Sequence, residues 1–141
     1  MPTTSMQKRI EFRTLHQTGC FVMPNPWDPG SAKVLAQMGF KALASTSAGH
    51  AWSLGYADGQ LGLESTLEHL RQLSNISELP VNADFESGFA NTAEDVYKNV
   101  GLALQTGVAG LSIEDSTGHP EAPLRSLEES LERLYAAREA I

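Results

Sequence analysis

The sequence predicts an α/β fold of the (β/α)8 TIM-barrel type, truncated to about four βα units, with residues 1–141 forming a single domain. Three observations carry this expectation. Short apolar runs alternate with helix-length segments, most of those segments open on a capping residue, and every run ends in polar or acidic side chains. Strand-then-helix order implies parallel strands joined by right-handed crossovers.

Residues 6–18 open the chain as a surface helix, with Ile10, Phe12 and Leu15 as an imperfect apolar stripe and Gly19 as its stop. Cys20-Phe21-Val22-Met23 then reads as the first strand, closed by Pro24 and Pro26, with Cys20 as a small core residue. Asp28 or Ser31 caps the next helix, Pro29 suits its first turn, and Gly39 ends it. The second strand is Lys41 to Thr46, followed by a loop of small residues and a helix from about Glu64 to Ser77. Leu67, Leu70, Leu73 and Ile76 give that helix its stripe.

The third strand, Val81 to Phe85, leads to a helix opening at Thr92, with Asp95 three residues on as a weaker capping box and Val96, Val100 and Leu104 facing inward. Val108 to Ile113 forms the fourth strand. Ser126 and Glu129 then cap a last helix, whose inward face is expected to carry Leu127, Leu131, Leu134 and Ala137.

Two architectures fit four such units, an open doubly wound sheet and part of a barrel. The strand ends favour the barrel, because Asn25 and Asp28, Thr46 and Ser47, Asp84 and Glu86, and Glu114 and Asp115 occupy all of them. An open sheet concentrates ligand contacts at one switch point instead. No Gly-x-Gly-x-x-Gly and no Gly-Lys-Ser phosphate loop is present. A complete barrel takes about 250 residues, so the expectation is half a barrel, with two open sheet edges and an uncovered face.

The net charge of -7 and the pI near 5.0 argue against nucleic acid or an anionic membrane as partner. The one cysteine, Cys20, excludes an internal disulfide and a Cys-rich metal site, which suits a reducing compartment. Met1 to Ser5 lack a leader pattern and no run approaches a membrane span, so the expected location is cytoplasmic.

The sharpest chemical signal is Leu79-Pro80-Val81-Asn82-Ala83-Asp84-Phe85-Glu86-Ser87-Gly88, an apolar strand ending in two carboxylates. At i and i+2 of a strand end they point the same way and repel each other unless a cation lies between them.

Four stretches together are similar to the isocitrate lyase / phosphoenolpyruvate mutase superfamily, in its phosphonomutase-like branch. They are Met23 to Ala32, then Ser45 to Gly49 with Ser53 to Asp58, then Ala83 to Gly88, and finally Ser112 to Ser116. The resemblance implies a Mg²⁺ site, with Mn²⁺ as the alternative ion, that holds a 2-oxo acid or enolate oxygen. Asp84 would bind the metal directly, with Glu86 beside it in the metal set and, together with Asp58 and Glu114, holding its water shell. Thr46, Ser47 and Ala48 would cradle a substrate carboxylate.

The lyase members carry a Lys-Lys-Cys-Gly-His type loop after the fourth strand. The loop here, Ser116 to Pro123, has neither lysine nor cysteine, and His119 stands in as the acid/base candidate. The implied partner is a small-molecule carboxylate, and the implied assembly a homo-oligomer. An alternative expectation is an inactive truncated chain, or a half-barrel that folds only by self-association. Outside the implied site, His50 reads as a packing or surface residue, and Trp27 and Trp52 as packing aromatics or pocket walls.

Overall fold

Three parallel strands, β1 (Leu43–Ala44), β2 (Val81–Asp84) and β3 (Gly110–Ser112), form one sheet in the order β1-β2-β3. The computed structural model describes residues 3–141, so Met1-Pro2 of the stretch read for a leader lies outside the described residues. Register pairs Leu43 with Val81 and Asp84 with Ser112, which brings the acidic ends of β2 and β3 side by side. Among the described residues six helices accompany the sheet: α1 (Ser5–Leu15), α2 (Pro29–Gln37), α3 (Ser47–Ser53), α4 (Leu63–Ile76), α5 (Ala93–Gln105) and α6 (Leu127–Glu139).

Local chemistry explains where the helices begin. Asp28 accepts from the Ser31 N–H and closes a capping box with it, Thr92 accepts from the Asp95 N–H, and Ser126 and Glu129 form the reciprocal box expected of them. The main core gathers Leu67 and Leu70 of α4, Ala83 and Phe85 of the β2 end, and Val96 and Val100 of α5. A smaller cluster of Ala32, Leu43, Leu73 and Val81 joins α2 to the sheet. Phe85 is fully buried, and truncating such a ring to alanine removes about 3–5 kcal/mol.

A buried lysine and a half-buried arginine of α1 bind backbone carbonyls at the ends of α4 and α5. Lys8 of α1 donates to the carbonyls of Ser74 and Ser77 at 2.7 and 2.6 Å, at the C-terminal end of α4. Arg9 donates to Leu104 and Val108 at 2.8 and 3.1 Å, closing the end of α5. Both satisfy carbonyls that a helix end leaves without partners, and both oppose the negative pole of the dipole.

Four expectations are corrected. Cys20 to Met23 is extended but no ladder strand, so the sheet holds three strands rather than four; its link is the Ala44 N–H donating to the Pro24 carbonyl at 3.1 Å. Pro24 and Pro26 lack the N–H groups a ladder needs, and Val22 stands 65% exposed. Cys20 is likewise exposed and not a core residue. The loop of small residues after β1 is in fact α3, capped by Thr46, whose Oγ1 accepts from the Gly49 N–H.

On α6, Ala137 is buried as expected, but Leu127, Leu131 and Leu134 are 76, 41 and 50% exposed. The helix packs on α5, and Ala137 and Ala140 rather than the leucines join the main core, which leaves the leucine stripe turned away from it. Among the described residues no helix is long and apolar enough to cross a membrane.

Candidate acidic centre

The centre starts at the tip of β2. The Asp84 N–H donates to Ser45 Oγ at 2.8 Å, which fixes its backbone against the end of β1. Its Oδ2 accepts from both the N–H and the hydroxyl of Ser47, at 2.8 and 2.9 Å. Ser47 is the first residue of α3, so the helix start and β2 hold one carboxylate between them, while Oδ1 has only a long 3.4 Å contact with the Glu86 N–H. Gly49 is required here, because an added Cβ would lie 2.4 Å from Trp27 Cδ1.

Beyond Asp84 the backbone turns sharply. Glu86 and Phe89 take positive φ, 45° and 52°, a region that disfavours residues with a Cβ by about 1 kcal/mol or more each. The surroundings impose the turn. The Glu114 N–H donates to the Glu86 carbonyl and the Gly88 N–H to the Phe85 carbonyl, both at 2.8 Å. Asn99 of α5 donates to the carbonyls of Gly88 and Phe89, and the buried Arg133 of α6 donates to those of Ser87 and Ala90.

That turn aims Glu86 at other acids. Its carboxyl is pushed up to about 7, by burial first and then by the charges of Asp84, Asp58 and Glu114. Glu114 is raised for the same kinds of reason, by burial and then by Asp84, Asp58 and Asp115. No lysine or arginine is among the charges acting on either group. Asp58 reaches the group from the turn between α3 and α4, and Glu114 from the end of β3.

The structure therefore brings together Asp58, Asp84, Glu86, Glu114 and Ser47. His119 lies on an exposed turn, where the Ala122 N–H donates to its carbonyl at 3.1 Å, and it is not among the groups acting on the acids. Of the segment 46–48, Thr46 caps α3 and Ser47 holds Asp84, which leaves the Ala48 N–H outside these bonds. Sequence reasoning passed over His69 and read His50 only as a packing or surface residue. His50 and His69 stack at 3.7 Å with their rings 10° apart, against the same small cavity as Ser47, Asp84 and Glu86. His69 is pushed down to about 4, by burial and then by His50, so it is neutral at pH 7.

The fit to a divalent cation can be judged from the donor set. Among the described residues no three His, Cys, Asp or Glu side chains form a closed ligand cluster. The four carboxylates nevertheless concentrate negative charge in one place. That arrangement suits a hard cation that keeps most of its waters and takes one direct carboxylate.

Parallel strands whose tips collect carboxylates beside a helix start define an α/β protein with an acidic centre at the C-terminal edge of its sheet. The chain belongs to the phosphoenolpyruvate phosphomutase family, whose model matches residues 12–141, and so to the isocitrate lyase / phosphoenolpyruvate mutase superfamily. An oxaloacetate decarboxylase of Pseudomonas entomophila (strain L48) is 33% identical over 94% of this chain and 48% of its own length. A Burkholderia cenocepacia J2315 crystal structure superposes with a TM-score of 0.94 at 42% identity, over 96% of this chain and 50% of the other. A phosphonopyruvate hydrolase crystallised with oxalate and Mg²⁺ gives 0.89 at 26% identity, over 95% of this chain and 48% of the other. The chain thus spans about half the length of the curated relatives it matches.

Proposed function

We propose that this chain forms the metal-holding part of a barrel-type lyase or mutase that acts on a small 2-oxo acid or related carboxylate through an enolate-type intermediate, breaking a C–C or C–P bond. The observation that carries this reading is the convergence of Asp84, Glu86, Asp58 and Glu114, with Glu86 pushed up to about 7 by its neighbours and by burial. Oxaloacetate and phosphonopyruvate represent the two bond types, given the decarboxylase and the hydrolase among its relatives.

Asp84 is the direct ligand for Mg²⁺ or Mn²⁺, and Glu86, Asp58 and Glu114 hold the surrounding waters. When bound, the ion supplies a Lewis acid for a developing enolate oxygen. Ser47 keeps Asp84 in place through two hydrogen bonds, so the ligand oxygen needs no reorganisation when substrate arrives. The segment Thr46, Ser47 and Ala48 faces the substrate carboxylate, with the Ala48 N–H as a remaining donor. His119, which the resemblance put forward as the acid/base, stands on an exposed turn outside this group of residues and takes no part in these steps.

Calorimetry tests the core of this reading. Asp84→Ala is expected to abolish Mg²⁺ binding, and unchanged binding would overturn the ligand assignment. Mg²⁺-dependent turnover of oxaloacetate or phosphonopyruvate is the matching activity assay.

The exposed Leu127, Leu131 and Leu134 favour a second reading, in which the chain is inactive alone and works as a homo-oligomer or against further barrel units. A monomer of fixed tertiary structure by light scattering and near-UV circular dichroism would count against it.

A further inference from the structure

The stacked histidines belong to no step above, yet they form the floor of the acidic centre. His69 is 4% exposed on the inner face of α4, and its buried Nε2 has no hydrogen-bond partner in the protein. An orphaned buried polar atom costs about 1–3 kcal/mol, so such atoms are nearly always bonded to something. His50 holds the plane of its ring from above, and its own Nε2 lies 3.5 Å from Ser65 Oγ. Both histidines line a cavity of about 10 Å³ together with Thr66, Asp84, Glu86 and the apolar Leu61.

Size and chemistry select the guest. A cavity of roughly 10–15 Å³ holds a single water, and a water is retained where it finds two to four polar partners. The wall carries hydroxyls, imidazoles and carboxylates beside Leu61, so a water there has polar groups within its reach. Glu86 supplies the complementary need, because among the described residues no protein group donates a hydrogen bond to its half-buried carboxylate.

We propose that this cavity is a binding site for one internal water that joins His69 Nε2 to the Glu86 carboxyl, and that His69 acts through it as a positioning residue for the acidic centre. The water site follows from the cavity and the orphaned nitrogen alone; the positioning role rests on the metal reading proposed above. His69 sets where Glu86 stands without touching substrate. The His50 ring keeps His69 from rotating away.

A crystal structure of the protein at better than about 1.5 Å, with ¹⁵N spectra of the imidazole side chains, tests the site. A water within hydrogen-bond distance of both His69 Nε2 and Glu86 is expected, together with a ¹⁵N shift of that nitrogen characteristic of a hydrogen bond. An unoccupied cavity, or a His69 Nε2 bonded to a protein group, overturns it. His69→Leu and His69→Gln separate positioning from packing: calorimetry is expected to show Mg²⁺ affinity about tenfold lower in the leucine variant and largely restored by the carboxamide. Equal affinity in wild type and His69→Leu overturns the positioning role. If the wild-type protein binds no Mg²⁺, the metal reading fails while the diffraction and ¹⁵N results still decide the water site.

Discussion

The two ends of the β-sheet are built on opposite electrostatic plans. Beneath the strands, Lys8 and Arg9 are aimed at backbone carbonyls, most of them at helix ends, so both charges meet partners of opposite polarity. At the strand tips, carboxylates face carboxylates, and Glu86 and Phe89 hold positive φ. The lower end therefore relieves unfavourable groups, while the upper end accumulates them. In α/β folds the C-terminal edge of the sheet carries chemistry and the opposite edge carries stability, and this chain separates the two cleanly.

The contrast can be broken most forcefully from below. Lys8→Ala should leave the Ser74 and Ser77 carbonyls without their donor in a buried setting, costing about 2–3 kcal/mol in urea unfolding, with little change in Mg²⁺ affinity. An equal loss of both would mean the two ends are not independent.

Next in size is Glu86→Gln, which should act in the opposite direction. The folded protein keeps a proton on Glu86 up to about 7, whereas the unfolded chain releases it near 4.5. Rising pH between these values therefore favours the unfolded chain, and stability falls until Glu86 is ionised in both states. Without metal, the variant should be more stable than wild type by about 1–2 kcal/mol at pH 8, a figure discounted for the solvent contact of Glu86, and equal to it near pH 4.5. Unfolding in EDTA at the two pH values checks this. Added Mg²⁺ should reverse the order, since it rewards the ionised carboxylate.

The smallest effect is expected from Glu114→Gln, an outer carboxylate on an exposed strand end. Mg²⁺ affinity should fall by roughly three- to tenfold, well short of the loss for Asp84→Ala. A larger effect than that of Asp84→Ala would exchange the roles of the two acids.

Much of this plan was legible as sequence. Asp28, Thr92 and Ser126 announced helix starts because capping is a local interaction, decided within four residues. The leucines of α4 announced a buried face for the same kind of reason. Asp84 and Glu86 stood out as acids ending an apolar run.

What escaped depends on partners far along the chain. The run Cys20 to Met23 has the composition of a strand, but pairing is settled by the prolines beside it and by its single neighbour. The leucines of α6 are apolar enough for a core, yet the small surfaces of Ala137 and Ala140 decide which side meets α5. His69 was hidden by its type rather than its position. Thr66, His69 and Leu73 follow helical spacing and are all buried, so the stripe of α4 includes two polar residues that an apolar count passes over.

Arg133 gives α6 a mechanical role. One face of the helix carries the uncovered leucines, and another carries the guanidinium that grips the carbonyls of Ser87 and Ala90, immediately after Glu86. The helix is thus a rigid lever with its handle outside the protein and its grip on the acidic loop. The exposed leucines and the guanidinium that holds the acidic loop therefore belong to one helix, and a change in the position of α6 would be felt at the turn that carries Glu86.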